Sequence, residues 1–155
     1  MALRKRRKAD GFTMIEVIAV LLIIGITAAI AVARIGDTSI YDVHSQVEVI
    51  KSHLRYAQSR AMATGKEWGV KVTSETTYYL FDGADSDTPV RFLGENDPTV
   101  DLAAKHSGVT IAPDSQTVTF DAYGSPGDTT LTLTVTGAGG RSMDITVTKN
   151  TGYIP

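Results

Sequence analysis

Residues 4–26 read "RKRRKADGFTMIEVIAVLLIIGI". Five consecutive cations, Arg4 to Lys8, stand ahead of Gly11 and an apolar run that carries a single carboxylate, Glu16. From Val17 to Ala33, seventeen residues pass without a charge, and Phe12 to Ile15 extends the apolar stretch backwards across Glu16. A helix rises ~1.5 Å per residue, so about 20 residues cross the ~30 Å hydrocarbon layer of a bilayer. Residues 12–33 satisfy that length. Under the positive-inside rule Arg4–Lys8 hold the N-terminus in the cytoplasm and place everything after Arg34 on the far side. The competing readings are a buried core helix and a secretory signal cleaved within "AAIAVA".

Composition bounds the remainder of the chain. A length of 155 residues, 43% apolar and 21% charged, suits one compact domain with an appendage. With no cysteine, it has neither a disulfide framework, a thiolate nucleophile nor a cysteine zinc site. Residues 1–11 hold five of the fifteen Lys and Arg but one of the seventeen acids, so the remainder carries ten cations against sixteen anions, formally −6. That balance disfavours nonspecific attraction to a phosphate backbone, and no nucleic-acid partner is expected.

Around the glycine, "KADGFTMIEV" sets Phe12 directly after Gly11 and Glu16 at the fifth position beyond it. This arrangement resembles the type IV prepilin motif. The resemblance implies that a prepilin peptidase cuts after Gly11, methylates Phe12 as the new N-terminal residue, and leaves the apolar segment attached. It also gives Glu16 a purpose. A charge within a bilayer costs on the order of 2.5–3.5 kcal/mol, and so does an isolated ammonium, so the two gain by meeting. In pilin-like filaments the carboxylate at this position faces the N-terminal amine of a neighbouring subunit, which would make Glu16 an assembly residue. The alternative is a side chain that snorkels to the cytoplasmic interface.

Beyond the apolar run, "IYDVHSQVEVIKSHLRYAQSRAMATG" places Ile40, Val43, Val47, Ile50, Leu54, Ala57 and Ala61 at spacings of three and four, one face of a helix. Gly65 is its natural stop, and Gly25 and Gly36 are candidate soft points upstream. From Lys66 the period becomes two. Trp68, Val70 and Val72 alternate with polar neighbours, "YYLF" comes next, and "TVTF" places Val118 and Phe120 inward. In "LTLTVTGAGGRSMDITVT", Leu131, Leu133 and Val135 oppose Met143, Ile145 and Val147 across a glycine-rich turn. The irregular stretch 82–108 is expected to hold a strand at Val90–Leu93 and a short helix capped by Asp97 and Pro98.

The blocks "RYAQSRAMATGKEWGV", "SGVTIAPDSQTVTFDAYG" and "DITVTKNTGYI" are similar to the H-type minor pseudopilins of type II secretion and the FimT-type minor pilins of type IV pili. The expected fold is α+β and pilin-like, a long N-terminal helix packed on an antiparallel β-sheet domain. The expected segments are a leader at 1–11, a transmembrane helix at 12–35, an amphipathic helix at 36–65 and a periplasmic β domain at 66–155. The resemblance implies a minor pseudopilin anchored once in the inner membrane, with other pseudopilins or pilins, the peptidase, an assembly platform and the lipid bilayer as partners. A type IV minor pilin is the close alternative, and a membrane-anchored periplasmic enzyme or binding domain the distant one. FimT-type DNA-uptake proteins carry arginines near the terminal glycine, whereas here Gly152 is followed by Tyr153, Ile154 and Pro155.

Nothing in the sequence makes a catalytic constellation, and no cofactor is expected. His44 and His53 lie nine residues apart, half a turn out of phase, and together with His106 read as surface residues. Asp82, Asp85 and Asp87 offer hard oxygen ligands suited to calcium, but without the glycine and terminal glutamate of an EF-hand loop; a solvated acidic loop is the alternative.

Overall fold

A computed structural model describes residues 12–35, 39–83 and 85–155, in two compact units that divide after Asp37. The first unit contains helix α1, Met14–Ile35. From Met14 to Val32 its leucines, isoleucines and valines are all exposed. Gly25 leaves the helix unbroken, and Thr27 returns its hydroxyl to the carbonyls of Ile23 (2.9 Å) and Ile24 (3.0 Å), hiding a polar group in an apolar surface. Gly36, the other candidate soft point, lies outside the described residues.

The second unit begins with α2, Ser39–Thr64. Its stripe of Val43, Val47, Ile50, Leu54, Ala57 and Ala61 is buried, as the three-and-four spacing requires. Truncating a side chain as enclosed as Leu54 to alanine would cost about 2–5 kcal/mol, from lost burial and the cavity left behind. The helix stops where Gly65 takes φ +64° and its N–H bonds the Ala61 carbonyl at 3.0 Å, a left-handed turn that a Cβ would disfavour. Trp68 ties the next strand to this end, donating from Nε1 to the Thr64 hydroxyl (2.9 Å) with the Arg60 guanidinium 4.8 Å over its ring.

The strands form two antiparallel sheets, as an antiparallel β domain requires. In the first, β1 (Trp68–Ser74) and β2 (Thr77–Asp82) form a hairpin, with β3 (Thr99–Asp101) outside β2 and β5 (Thr117–Phe120) outside β1. The second has β4 (Thr110–Ala112), β6 (Leu131–Thr136) and β7 (Ser142–Val147) in the order β4–β6–β7. The β6–β7 register pairs Leu131 with Val147, Leu133 with Ile145 and Val135 with Met143, the pairing expected from the alternation. Helix α2 packs on both sheets, so its stripe and the inward faces of β1, β2, β5, β6 and β7 make one core.

Two local expectations fail. Val90–Leu93 is no strand: only Val90 bridges Leu80, through a 2.7 Å N–H to carbonyl bond. The short helix, α3, is Leu102–Lys105 and not at Asp97–Pro98. Asp101 is the better cap, because its Oδ1 accepts from the N–H groups of both Ala103 (2.8 Å) and Ala104 (3.2 Å). In β2 the alternation breaks down, since Tyr78, Tyr79, Leu80 and Phe81 are all buried. The loop after β2 crosses the strand's outer face, accepting a 3.0 Å bond from Tyr79 Oη at the Ser86 carbonyl.

Candidate assembly site on the N-terminal helix

Phe12 and Thr13 lead into α1, where the Thr13 carbonyl accepts from the N–H groups of Glu16 (3.1 Å) and Val17 (3.3 Å) and so closes the first turn. Glu16 falls in that turn, where a negative side chain faces the positive end of the helix dipole. Phe12, Glu16 and Val20 succeed one another at intervals of four, and Val17 and Leu21 complete the wall of a shallow groove of about 280 Å³. The result is one carboxylate set in an apolar groove on a helix whose 14–32 span has a mean hydropathy of 2.8. Gly11 and the Arg4–Lys8 cluster lie outside the described residues.

The other residues singled out in the sequence are scattered. His44 is exposed, and His106 is half-buried with its Nδ1 3.2 Å from Asp42 Oδ1. His53 corrects the surface reading: it is buried, its Nδ1 lies 2.9 Å from Tyr78 Oη, and Phe92 stacks on its ring at 4.0 Å. Desolvation pushes the His53 imidazole down to about 4, against the opposing pull of Glu95. A cue was present in the sequence, since His53 comes three residues after Ile50 and four before Ala57, on the edge of the buried stripe.

Asp82 ends β2, and Asp85 and Asp87 beyond it serve local structure. Asp85 accepts from the Asp87 N–H (2.9 Å) and the Thr88 hydroxyl (2.6 Å), bonds that hold its carboxyl below the usual range, and Asp87 pairs with Lys71. Among the described residues no three His, Asp or Glu side chains are gathered as a metal site. Of the cations on α2, Lys51 pairs with Glu48 at 3.1 Å, Arg55 Nη2 donates to the Ile154 carbonyl at 3.0 Å, and Arg60 covers Trp68.

Sequence and fold comparisons point the same way. The profile of the family described as type II transport protein GspH matches residues 46–151, and that of the prokaryotic N-terminal methylation motif matches residues 6–32. No curated protein gives a significant match over its sequence. The fold is similar to that of the type IV minor pilin FimU of Pseudomonas aeruginosa, with a TM-score of 0.56 at 15% identity over 76% of this chain and 90% of that one. It is likewise similar to the minor pseudopilin EpsH from the type 2 secretion system of Vibrio cholerae, with a TM-score of 0.54 at 13% identity over 74% of this chain and 94% of that one. The pilin-like α+β architecture is therefore shared at identities that testify to fold alone.

Proposed function

The chain belongs to the type II transport protein GspH family, and from that premise we propose that it is an H-type minor pseudopilin, a structural subunit of a periplasmic fibre that moves folded proteins outward. The observation that carries this reading is the contrast between the two units. The globular unit closes its core with residues 43–154, while the large apolar side chains of α1 from Met14 to Val32 are exposed. Lipid would cover them before assembly, and neighbouring α1 helices within the fibre. Glu16 then selects the arrangement, because the amine freed at Phe12 of an adjacent subunit supplies the cation that an apolar groove otherwise excludes.

In this proposal the leader ends at Gly11, residues 12–35 cross the inner membrane with the N-terminus cytoplasmic, and the unit from Thr38 onward is periplasmic. Its partners are other pseudopilins, the prepilin peptidase that cuts and methylates, and the assembly platform. Its work is mechanical, without catalysis. The fold's likeness to FimU supports a second reading, a minor pilin of a type IV pilus.

Gene deletion separates the two. Loss of protein secretion with surface pili intact is the expected result; loss of pili with normal secretion would replace the first reading with the second. Processing tests what both share. Coexpression with a prepilin peptidase should yield a chain beginning with N-methylated Phe12, and Gly11→Val should remain uncut; cleavage near Ala33 would refute the membrane-retained subunit.

A further inference from the structure

A polar chain runs from the core of the globular unit to its surface and has no part in the N-terminal motif. The Glu95 carboxylate beside His53 Nε2 favours the tautomer that carries its hydrogen there, so Nδ1 accepts from the Tyr78 phenol across 2.9 Å. Nε2 lies 3.8 Å from Glu95 Oε1, and Glu95 pairs in turn with Lys105 on α3. Phe92 lies flat on the imidazole, 12° from parallel, with Tyr78 and Tyr56 tilted around it at 6.0 and 6.4 Å. The Phe92–Glu95 turn therefore grips α2 by two side chains, and both rest on the same ring. Between them Leu93 is 84% exposed. Among the described residues the backbone bond that ties the approach to this turn is the Val90–Leu80 bridge, and the 3.3 Å bond from Glu95 N–H to the Phe92 carbonyl closes the turn on itself.

We infer that the Phe92–Glu95 turn is an acid-released strap over α2, closed only while His53 stays neutral between Tyr78, Phe92 and Glu95. A proton on Nδ1 removes the acceptor for Tyr78 and puts a charge where burial keeps water away. The charged groups facing the imidazole oppose one another, Glu95 favouring the proton and Lys105 resisting it, and burial outweighs both. At the far end of α2, Asp42 and His106 face each other at 3.2 Å and hold the chain after α3, so release stays local to the turn.

Linkage sets the sign. Closed, His53 titrates near 4; released into water it returns to 6.5, so the open form binds the proton more tightly. Closure is fully favoured above about pH 6.5 and is lost progressively as pH falls toward 4. Between pH 7.5 and pH 5 the opening equilibrium rises by as much as about 30-fold.

Hydrogen exchange on the full chain in detergent micelles tests this, with intrinsic rates corrected at each pH. The Val90 and Glu95 amides should open by that factor between pH 7.5 and pH 5, the Leu133 and Ile145 amides should not rise with them, and His53→Gln should abolish the difference. A flat wild-type profile, an equal rise in His53→Gln, or an equal rise at Leu133 and Ile145 would overturn the strap. If His53→Gln fails to fold, NMR titration of the wild-type ring decides: a midpoint near 4 supports the closed, neutral state, and one near 6.5 in folded protein refutes it.

Discussion

Gln58, in the last third of α2, reaches across to Gly152, three residues from the end of the sequence. Its Nε2 donates to the carbonyls of Gly152 (3.0 Å) and Gly124 (2.9 Å), with Thr151 at 3.4 Å. One amide thus binds the helix to the 121–125 turn and to the terminal segment at once. Gly152 adopts φ +62°, and a Cβ there would collide with the Gly124 carbonyl oxygen. Arg55 secures the next step of the chain at Ile154, whose side chain is buried.

This arrangement predicts that Gly152→Ala destabilises the globular unit by about 1–3 kcal/mol, from left-handed strain and lost contact with Gly124. Gln58→Glu should cost about as much, because a carboxylate turns acceptors toward carbonyls and leaves them unsatisfied. Chemical denaturation of residues 38–155 measures both. A change within about 0.5 kcal/mol for Gly152→Ala would mean that the terminal segment is not held as described.

For Glu16 the expected defect lies in assembly and not in insertion. Glu16→Ala removes a charge from an apolar helix, so membrane levels should hold or rise. Crosslinking to partner subunits, compared at equal membrane levels, should fall sharply. Undiminished crosslinking would favour a snorkelling side chain over amine pairing.

Much of the globular architecture could be read in the sequence wherever its cause was local. The α2 stripe, its stop at Gly65 and the β6–β7 register each depend on neighbours a few residues away or across one turn. The expectations that failed depended on distant parts of the chain. Nothing local to Val90–Leu93 announces that Phe92 will stack on a histidine of α2, and that anchor replaces the strand's hydrogen bonds. Asp101 outcompetes Asp97 as a cap because β3 delivers it beside β2. Gln58 carries no local sign that it will meet a glycine 94 residues later. At the candidate assembly site the motif was fully visible around Gly11, Phe12 and Glu16, and the described residues add the groove around the carboxylate and the exposure of the helix from Met14 to Val32.

Affinity for DNA depends on where the cations sit. A basic face built from Lys51, Arg55, Arg60 and Lys66 could have offset the formal charge of −6 beyond residue 11. Three of the four have internal partners: Glu48 for Lys51, the Ile154 carbonyl for Arg55 and the Trp68 ring for Arg60. Near the terminal glycine, Lys149 is exposed, while Tyr153 and Pro155 stand beyond it without charge. Nonspecific affinity comes mainly from counterion release and gives Kd values of ~10⁻⁴–10⁻⁶ M when several phosphates are neutralised. With so few free cations, residues 38–155 should bind double-stranded DNA more weakly than that at physiological salt. Mobility shift across a salt series measures it. Micromolar binding that weakens steeply with salt would show that the engaged arginines let go of their partners, and would favour the type IV pilus reading over secretion.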